Sequence, residues 1–231
     1  MTKFLELENV VKKYGKKTVL NGISYSFEEG RIYGLVGDNG VGKTTLLRLI
    51  CGLSSPTSGS VKFLKSNVSI GALVESPAVF KDMSAYDNLK AKALVCGYKY
   101  TKQQLVQLLK DVGLENTSKA VITYSTGMKQ RLGIAMALLD NPDLLILDEP
   151  INGLDPQGIA EVRQLIKKIH TERSTTMIIS SHILYELLKV VTHFLFVKGG
   201  RIVYEISVQD LLKELGDGDI NEYYLSIMSK E

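Results

Sequence analysis

The eight residues GDNGVGKT (37–44) constrain this chain more than any other stretch, because they specify a backbone path as well as side chains. They fit the pattern G-x-x-x-x-G-K-[ST]. They follow the apolar run RIYGLVG (31–37) and open the helical run TTLLRLICG. Strand, glycine loop and helix in that order form a cradle in which main-chain amides and a helix N-terminus point at an anion. The sequence therefore predicts a phosphate site whose loop is shaped by Gly37, Asn39, Gly40 and Gly42. Lys43 is expected to reach β- and γ-phosphates, Thr44 to ligate Mg²⁺, and Thr45 to add a further phosphate contact. A glycine-rich turn with a chance Lys-Thr is the plain alternative, and it explains neither the strand before nor the helix after.

A loop that holds phosphates for hydrolysis also needs a carboxylate for the metal and a base for water. LLILDEP (144–150) offers both at the end of an apolar run. Asp148 is the expected Mg²⁺ partner, directly or through water. Glu149 is the expected general base, a role worth ~10²–10⁴-fold in rate. Alone, an acidic pair at a strand end is more often a helix cap or a turn; the glycine loop reverses that weighting.

The rest of the chain supplies the frame. RIYGLVG, DLLILDE (143–149) and TTMIISS (175–181) are apolar on both faces, as buried parallel strands are. FLELENVVKKY and SYSFEEG near the start alternate, predicting antiparallel strands, and HFLFVKGGRIVYEI (193–206) predicts a hairpin turning at Gly199-Gly200. QGIAEVRQLIKKIHTE (157–172) sets Ile159, Val162, Leu165, Ile166 and Ile169 on one helical face. TKQQLVQLLKDVG (101–113) predicts a helix with a Thr101/Gln104 capping box and a stop at Gly113. Residues 76–128 carry helical patterns and no convincing buried strand. The expected fold is α/β: a P-loop NTPase core with a mixed, largely parallel sheet flanked by helices and an N-terminal antiparallel β part. Residues 1–75 and 129–231 would form that core, and 76–128 an inserted helical subdomain.

Composition narrows the function classes. With 231 residues, 45% hydrophobic and 23% charged, the chain can bury a core without staples. A net charge of +3 is too small to argue for nucleic acid, and the paired lysines at 12–13, 16–17 and 167–168 read as solvated faces. Cys51 and Cys96 lack metal or redox spacing and read as buried or partly buried thiols in a reducing compartment. MTKFLELENV has two Glu and no apolar run, so no signal peptide is expected. No stretch approaches the ~20 apolar residues that span a bilayer. A soluble, cytoplasmic chain is expected, unless something else holds it at a membrane.

One acid stands apart. In VSIGALVESPAVF (68–80) the single ionisable side chain is Glu75, and the Ser-Pro after it reads as a strand end entering a turn. The stretch by itself does not decide between a surface acid and a site acid.

Further segments complete a set that resembles the ATP-binding-cassette (ABC) ATPases over essentially the whole chain. TYSTGMKQR (123–131) resembles the family's signature, which runs Leu-Ser-Gly-Gly-Gln-x-Gln-Arg. GLDP (153–156) resembles its D-loop, SSH (180–182) its switch histidine, and Tyr14 its adenine-stacking aromatic. Glu75 falls where the family usually has the Q-loop glutamine. The resemblance implies ATP and Mg²⁺ as cofactors, with Thr44, Glu75 and Asp148 around the metal. It implies His182 at the γ-phosphate, and Ser125 and Gly127 facing ATP held by a second copy in a head-to-tail dimer. Asp155 would order that interface. Each has a plainer alternative: Tyr14 as a packing aromatic, His182 as a satisfied strand-end histidine, Ser125 and Gly127 as a helix cap and turn. Tyr124, Thr126 and Met128 depart from the signature, while Ser125, Gly127, Gln130 and Arg131 keep it.

The resemblance also implies a separate transmembrane permease as partner, so that the chain sits peripherally on the inner face of the membrane. The glutamate at 75 and the Ser-x-Gly-Met-Lys-Gln-Arg signature are similar to the bacitracin-resistance and lantibiotic-immunity exporter group. A soluble cassette of the cluster-assembly type, an exporter of another drug, lipid or polysaccharide, and a regulatory ATP-binding module are the alternatives. Glu149 and His182 together disfavour the last. The C-terminal LLKELGDGDINEYYLSIMSKE reads as a helix and a tail that pack on the core or on the second subunit, without chemistry of their own.

Overall fold

The chain opens with a long hairpin, β1 (Lys3–Tyr14) and β2 (Lys17–Glu28), followed by β3 (Ile32–Val36), α1 (Lys43–Ile50), β4 (Ser58–Phe63) and β5 (Ile70–Leu73). Next come α2 (Ala85–Val95), α3 (Lys102–Asp111), a 3-10 turn at 121–123 and α4 (Thr126–Ala137). The remainder is β6 (Leu144–Asp148), α5 (Pro156–Arg173), β7 (Thr176–Ser180), α6 (Leu184–Leu188), β8 (His193–Lys198), β9 (Arg201–Ser207), α7 (Val208–Leu215) and α8 (Ile220–Ser229). This computed structural model describes residues 2–229, so Lys230 and Glu231 of the expected tail lie outside the described residues.

Two sheets result. The N-terminal sheet is antiparallel with order β2-β1-β4, and the larger sheet has order β5-β6-β7-β3-β8-β9. In the larger one β5, β6, β7, β3 and β8 run parallel, and only β9 pairs antiparallel, through the expected hairpin with β8. The apolar runs explain why this sheet sits in the middle. Alternate residues of each strand supply two separate cores. Ile32, Val36, Leu145, Leu147, Met177, Ile179, Phe194 and Phe196 face the layer of α2 to α6. Tyr33, Leu35, Leu144, Ile146, Ile178, Leu195 and Val197 face α1 and the antiparallel sheet, whose Phe4, Leu5, Leu7, Leu20 and Phe27 are buried.

Between β5 and β6 the described elements are helical, as the sequence predicts. Thr101 accepts from the Gln104 amide while the Gln104 side chain accepts from the Thr101 amide, which is the expected capping box. Gly113 follows the helix at φ +71°, where a Cβ would be strained. α4 continues unbroken past residue 128 to Ala137 and packs on β5, so the helical insertion and the core share an element. Its close approach depends on Gly71, where a Cβ would overlap the carbonyl of Ala137.

Three expectations need correction. The strand before Glu75 ends at Leu73, two residues early, and Glu75 itself has φ +67°. Cys96 is exposed at the end of α2, although Cys51 is partly buried as expected. The described residues of the C-terminal stretch form two helices, because Asp219 accepts from the amides of Asn221 and Glu222 and starts α8 anew. Gly71→Ala should overpack the β5–α4 contact and cost about 1–3 kcal/mol, read as a lower midpoint in urea unfolding followed by circular dichroism.

Candidate active site

Three adjacent parallel strands, β6, β7 and β3, end side by side and deliver the candidate residues to one edge of the sheet. Leu35 pairs with Ser180 and Ser180 with Asp148, so the three lie in one row. Residues 37–42 leave that row as the glycine loop. Gly42 takes φ +114°, and a Cβ there would stand 2.7 Å from Leu20, so only glycine lets β2 pack against the loop. α1 starts at Lys43, and its first amides lack intrahelical partners and face the loop. Lys43 is buried; its Nζ donates to the carbonyls of Gly37 (2.6 Å) and Asp38 (3.2 Å) and lies 4.0 Å from the Glu149 carboxylate.

Across from the loop, Thr44 Oγ1 donates to Asp148 Oδ2 at 2.8 Å. Asp148 is buried, and its other oxygen accepts from Ser180 Oγ. Ser180 also accepts from the Glu149 amide at 2.9 Å. Thus one hydroxyl holds both acids in place, a role not assigned to Ser180 from the sequence; its signal was a serine at the end of the strand next to the acids. The charge on Asp148 also acts on Cys51, whose thiol burial and that carboxylate push up to about 12. Glu149 occupies the left-handed region at φ +50°, which strains a glutamate backbone. Its Oε2 is 2.9 Å from His182 Nδ1, so Lys43, Glu149 and His182 form a chain from the loop to the end of β7. The hydroxyl of Thr44 and the carboxylate of Asp148 are hard oxygen donors, which fits Mg²⁺ completing its shell with phosphate and water oxygens. No group of three or more His, Cys, Asp or Glu among the described residues is arranged to hold a metal without such help.

Glu75 is not drawn into this set. Its carboxylate is exposed and bound to Arg48 Nη2 of α1 at 2.6 Å, apart from the Thr44–Asp148 pair. Tyr14 ends β1 with its ring half exposed and the Lys12 ammonium 5.1 Å from its centroid. Thr45 is half-buried in the first turn of α1.

Ser125, Gly127 and Asp155 gather elsewhere. Ser125 caps α4 by accepting from Met128 N, and Asp155 caps α5 by accepting from Gly158 N at 2.8 Å. The two helix N-termini line one open cleft with Leu154, Arg131 and Glu161, the last two paired at 2.9 Å. Two of the three departures from the signature, Tyr124 and Met128, have local reasons. Tyr124 is buried in the helical core and Met128 packs on it.

Residues 20–152 match the family described as ABC transporter. The lantibiotic transport ATP-binding protein SrtF of Streptococcus pyogenes is 43% identical over 208 residues, covering 87% of this chain and 90% of its own. The bacitracin transport ATP-binding protein BcrA of Enterococcus faecalis is 40% identical, covering 90% of this chain and 71% of its own. Among solved structures, an ATP-binding subunit of an ABC transporter superposes with a TM-score of 0.82 at 25% identity, over 97% of this chain and 99% of that one. Ser180→Ala should leave the buried Asp148 oxygen without a donor, lowering stability by about 1–3 kcal/mol, measured by chemical denaturation, and weakening ATP hydrolysis in the same preparation.

Proposed function

This chain belongs to the ABC transporter family, and we propose that it is the ATP-hydrolysing subunit driving export of, or self-protection against, a lantibiotic or related peptide. The cargo assignment is supported by the two relatives named for lantibiotic and bacitracin transport. The observation that carries the chemistry is the arrangement of Lys43, Glu149 and His182 beside the Thr44–Asp148 pair.

Each residue then has a distinct task. The loop from Gly37 to Gly42, with Asn39 and Gly40, wraps the phosphates with amides, and Lys43 turns its ammonium from the loop carbonyls toward the β/γ oxygens. Thr44 and Asp148 would hold Mg²⁺, which would neutralise charge on the transferred phosphoryl group. Glu149 takes the proton of the attacking water. His182 orients Glu149 and reaches the γ-phosphate, Thr45 adds a phosphate contact, and Tyr14 stacks on adenine. Glu75, tied to Arg48, lies at the entry to the helical stretch, where a change of partner for its carboxylate would be felt by both.

Ser125, Gly127 and Asp155 are assigned to a second copy's nucleotide. Their cleft is open and is lined by none of the phosphate-loop residues, which supports a site completed across a head-to-tail pair. Closing that pair places the positive ends of two helices at the γ-phosphate. Among the described residues no helix is long and apolar enough to cross a membrane. The cargo path is assigned to a separate permease, engaged by the helical stretch between β5 and β6 and holding this chain at the inner face of the membrane.

Glu149→Gln should still bind ATP and accumulate as a closed dimer while turnover falls by ~10²–10⁴-fold. Phosphate release and size-exclusion chromatography with ATP read both effects, and a native rate would remove Glu149 from the role of base. Co-expression with a neighbouring permease should recover the two chains together from membranes; recovery only in a soluble complex would overturn the exporter assignment.

A further inference from the structure

The phosphate loop is held from outside by the last described helix. α8 turns Ile220, Tyr223, Tyr224, Ile227 and Met228 inward, at the spacing of one helical face, onto the core beneath β8. The Tyr224 ring lies 5.9 Å from Phe196 of β8, and Lys198 at the end of β8 donates to the Met228 carbonyl at 2.6 Å. Seated there, the Tyr224 hydroxyl donates to Asp38 Oδ1 at 3.1 Å. Asp38 is the second residue of the loop, and its main-chain carbonyl accepts from Lys43. The residue is therefore gripped twice, by Lys43 on its backbone and by α8 on its side chain. Burial and Asp38 push the Tyr224 phenol up to about 12, so it remains a donor at neutral pH. Contacts of α8 with α6 extend the same helix toward the segment that follows His182.

An exposed carboxylate beside a phosphate cradle is a like charge to the ligand, and its direction matters. We propose that Tyr224 is a positioning residue of the ATP site, whose hydrogen bond keeps the Asp38 carboxylate on the α8 side of the loop and away from the phosphates. The C-terminal helix thereby becomes part of the nucleotide site without touching nucleotide. The inference rests on the nucleotide reading of the loop and adds a residue that neither the loop motif nor the chain order would place there.

The test uses the full chain, with ATP binding followed by calorimetry and phosphate release measured at steady state. Tyr224→Phe keeps the ring on Phe196 and deletes only the hydroxyl. The dissociation constant and KM for ATP should rise roughly 3- to 10-fold, with kcat changed by less than about twofold, the pattern of lost binding without lost chemistry. Tyr223→Phe is the control, because that hydroxyl donates to Glu214 at 2.7 Å, within the C-terminal helices; it should leave KM unchanged. Asp38→Asn keeps an acceptor and removes the charge, so adding Tyr224→Phe to it should cost much less than in the native background. A KM for Tyr224→Phe equal to that of Tyr223→Phe overturns the proposal, as does a lower Tm with native KM. If the native chain itself binds no ATP, the nucleotide reading falls as well, which is a different result.

Discussion

The site depends on the register of three parallel strands. Leu35, Ser180 and Asp148 stand in one row across β3, β7 and β6. Because side chains alternate along a strand, a slip of one residue in β7 would turn Ser180 toward the opposite face and empty the space between the two acids. The pairing is fixed by burial on both faces: each strand fills one core with its odd residues and the other with its even ones. Sliding any strand would expose apolar groups to neither core correctly. Catalytic geometry is thus secured by packing that has no chemical role.

Much of this was legible in the sequence because the relevant signals are local. A glycine loop between strand and helix, an acidic pair ending an apolar run, and a capping box each declare themselves within a dozen residues. Antiparallel strands near the start and the β8–β9 turn at Gly199-Gly200 were equally readable from alternation and glycine placement, although β2 begins at Lys17, ahead of the stretch that alternates. What escaped was non-local. Ser180 is unremarkable until β7 pairs with β6, and β4 shows little alternation because its residues are mostly half-exposed beside β1. The second C-terminal helix was hidden by Gly216 and Gly218, although Asp219 and Glu222 are spaced as a cap.

Glu75 shows how a residue far along the chain can set where an isolated acid sits. The resemblance places it near the metal, and in this structure an ion pair across 27 residues of sequence to Arg48 holds the carboxylate. Both partners are substantially exposed, so the pair contributes little to stability, on the order of 0–1 kcal/mol. Its weight lies in direction: it joins the helix that begins with Lys43 and Thr44 to the turn that leads into α2. A contact that is cheap to break, between α1 and the turn into α2, is suited to changing partners.

With Glu149 in its proposed role as base, its left-handed backbone sets stability and chemistry against each other at one position. A glutamate at φ +50° carries strain of order 1–3 kcal/mol that glycine would not. Heat resistance, selected alone, would reward the loss of this side chain, and a thermostable library of this protein would drift toward glycine or asparagine at 149. The residue persists there only where selection acts on work done rather than on endurance.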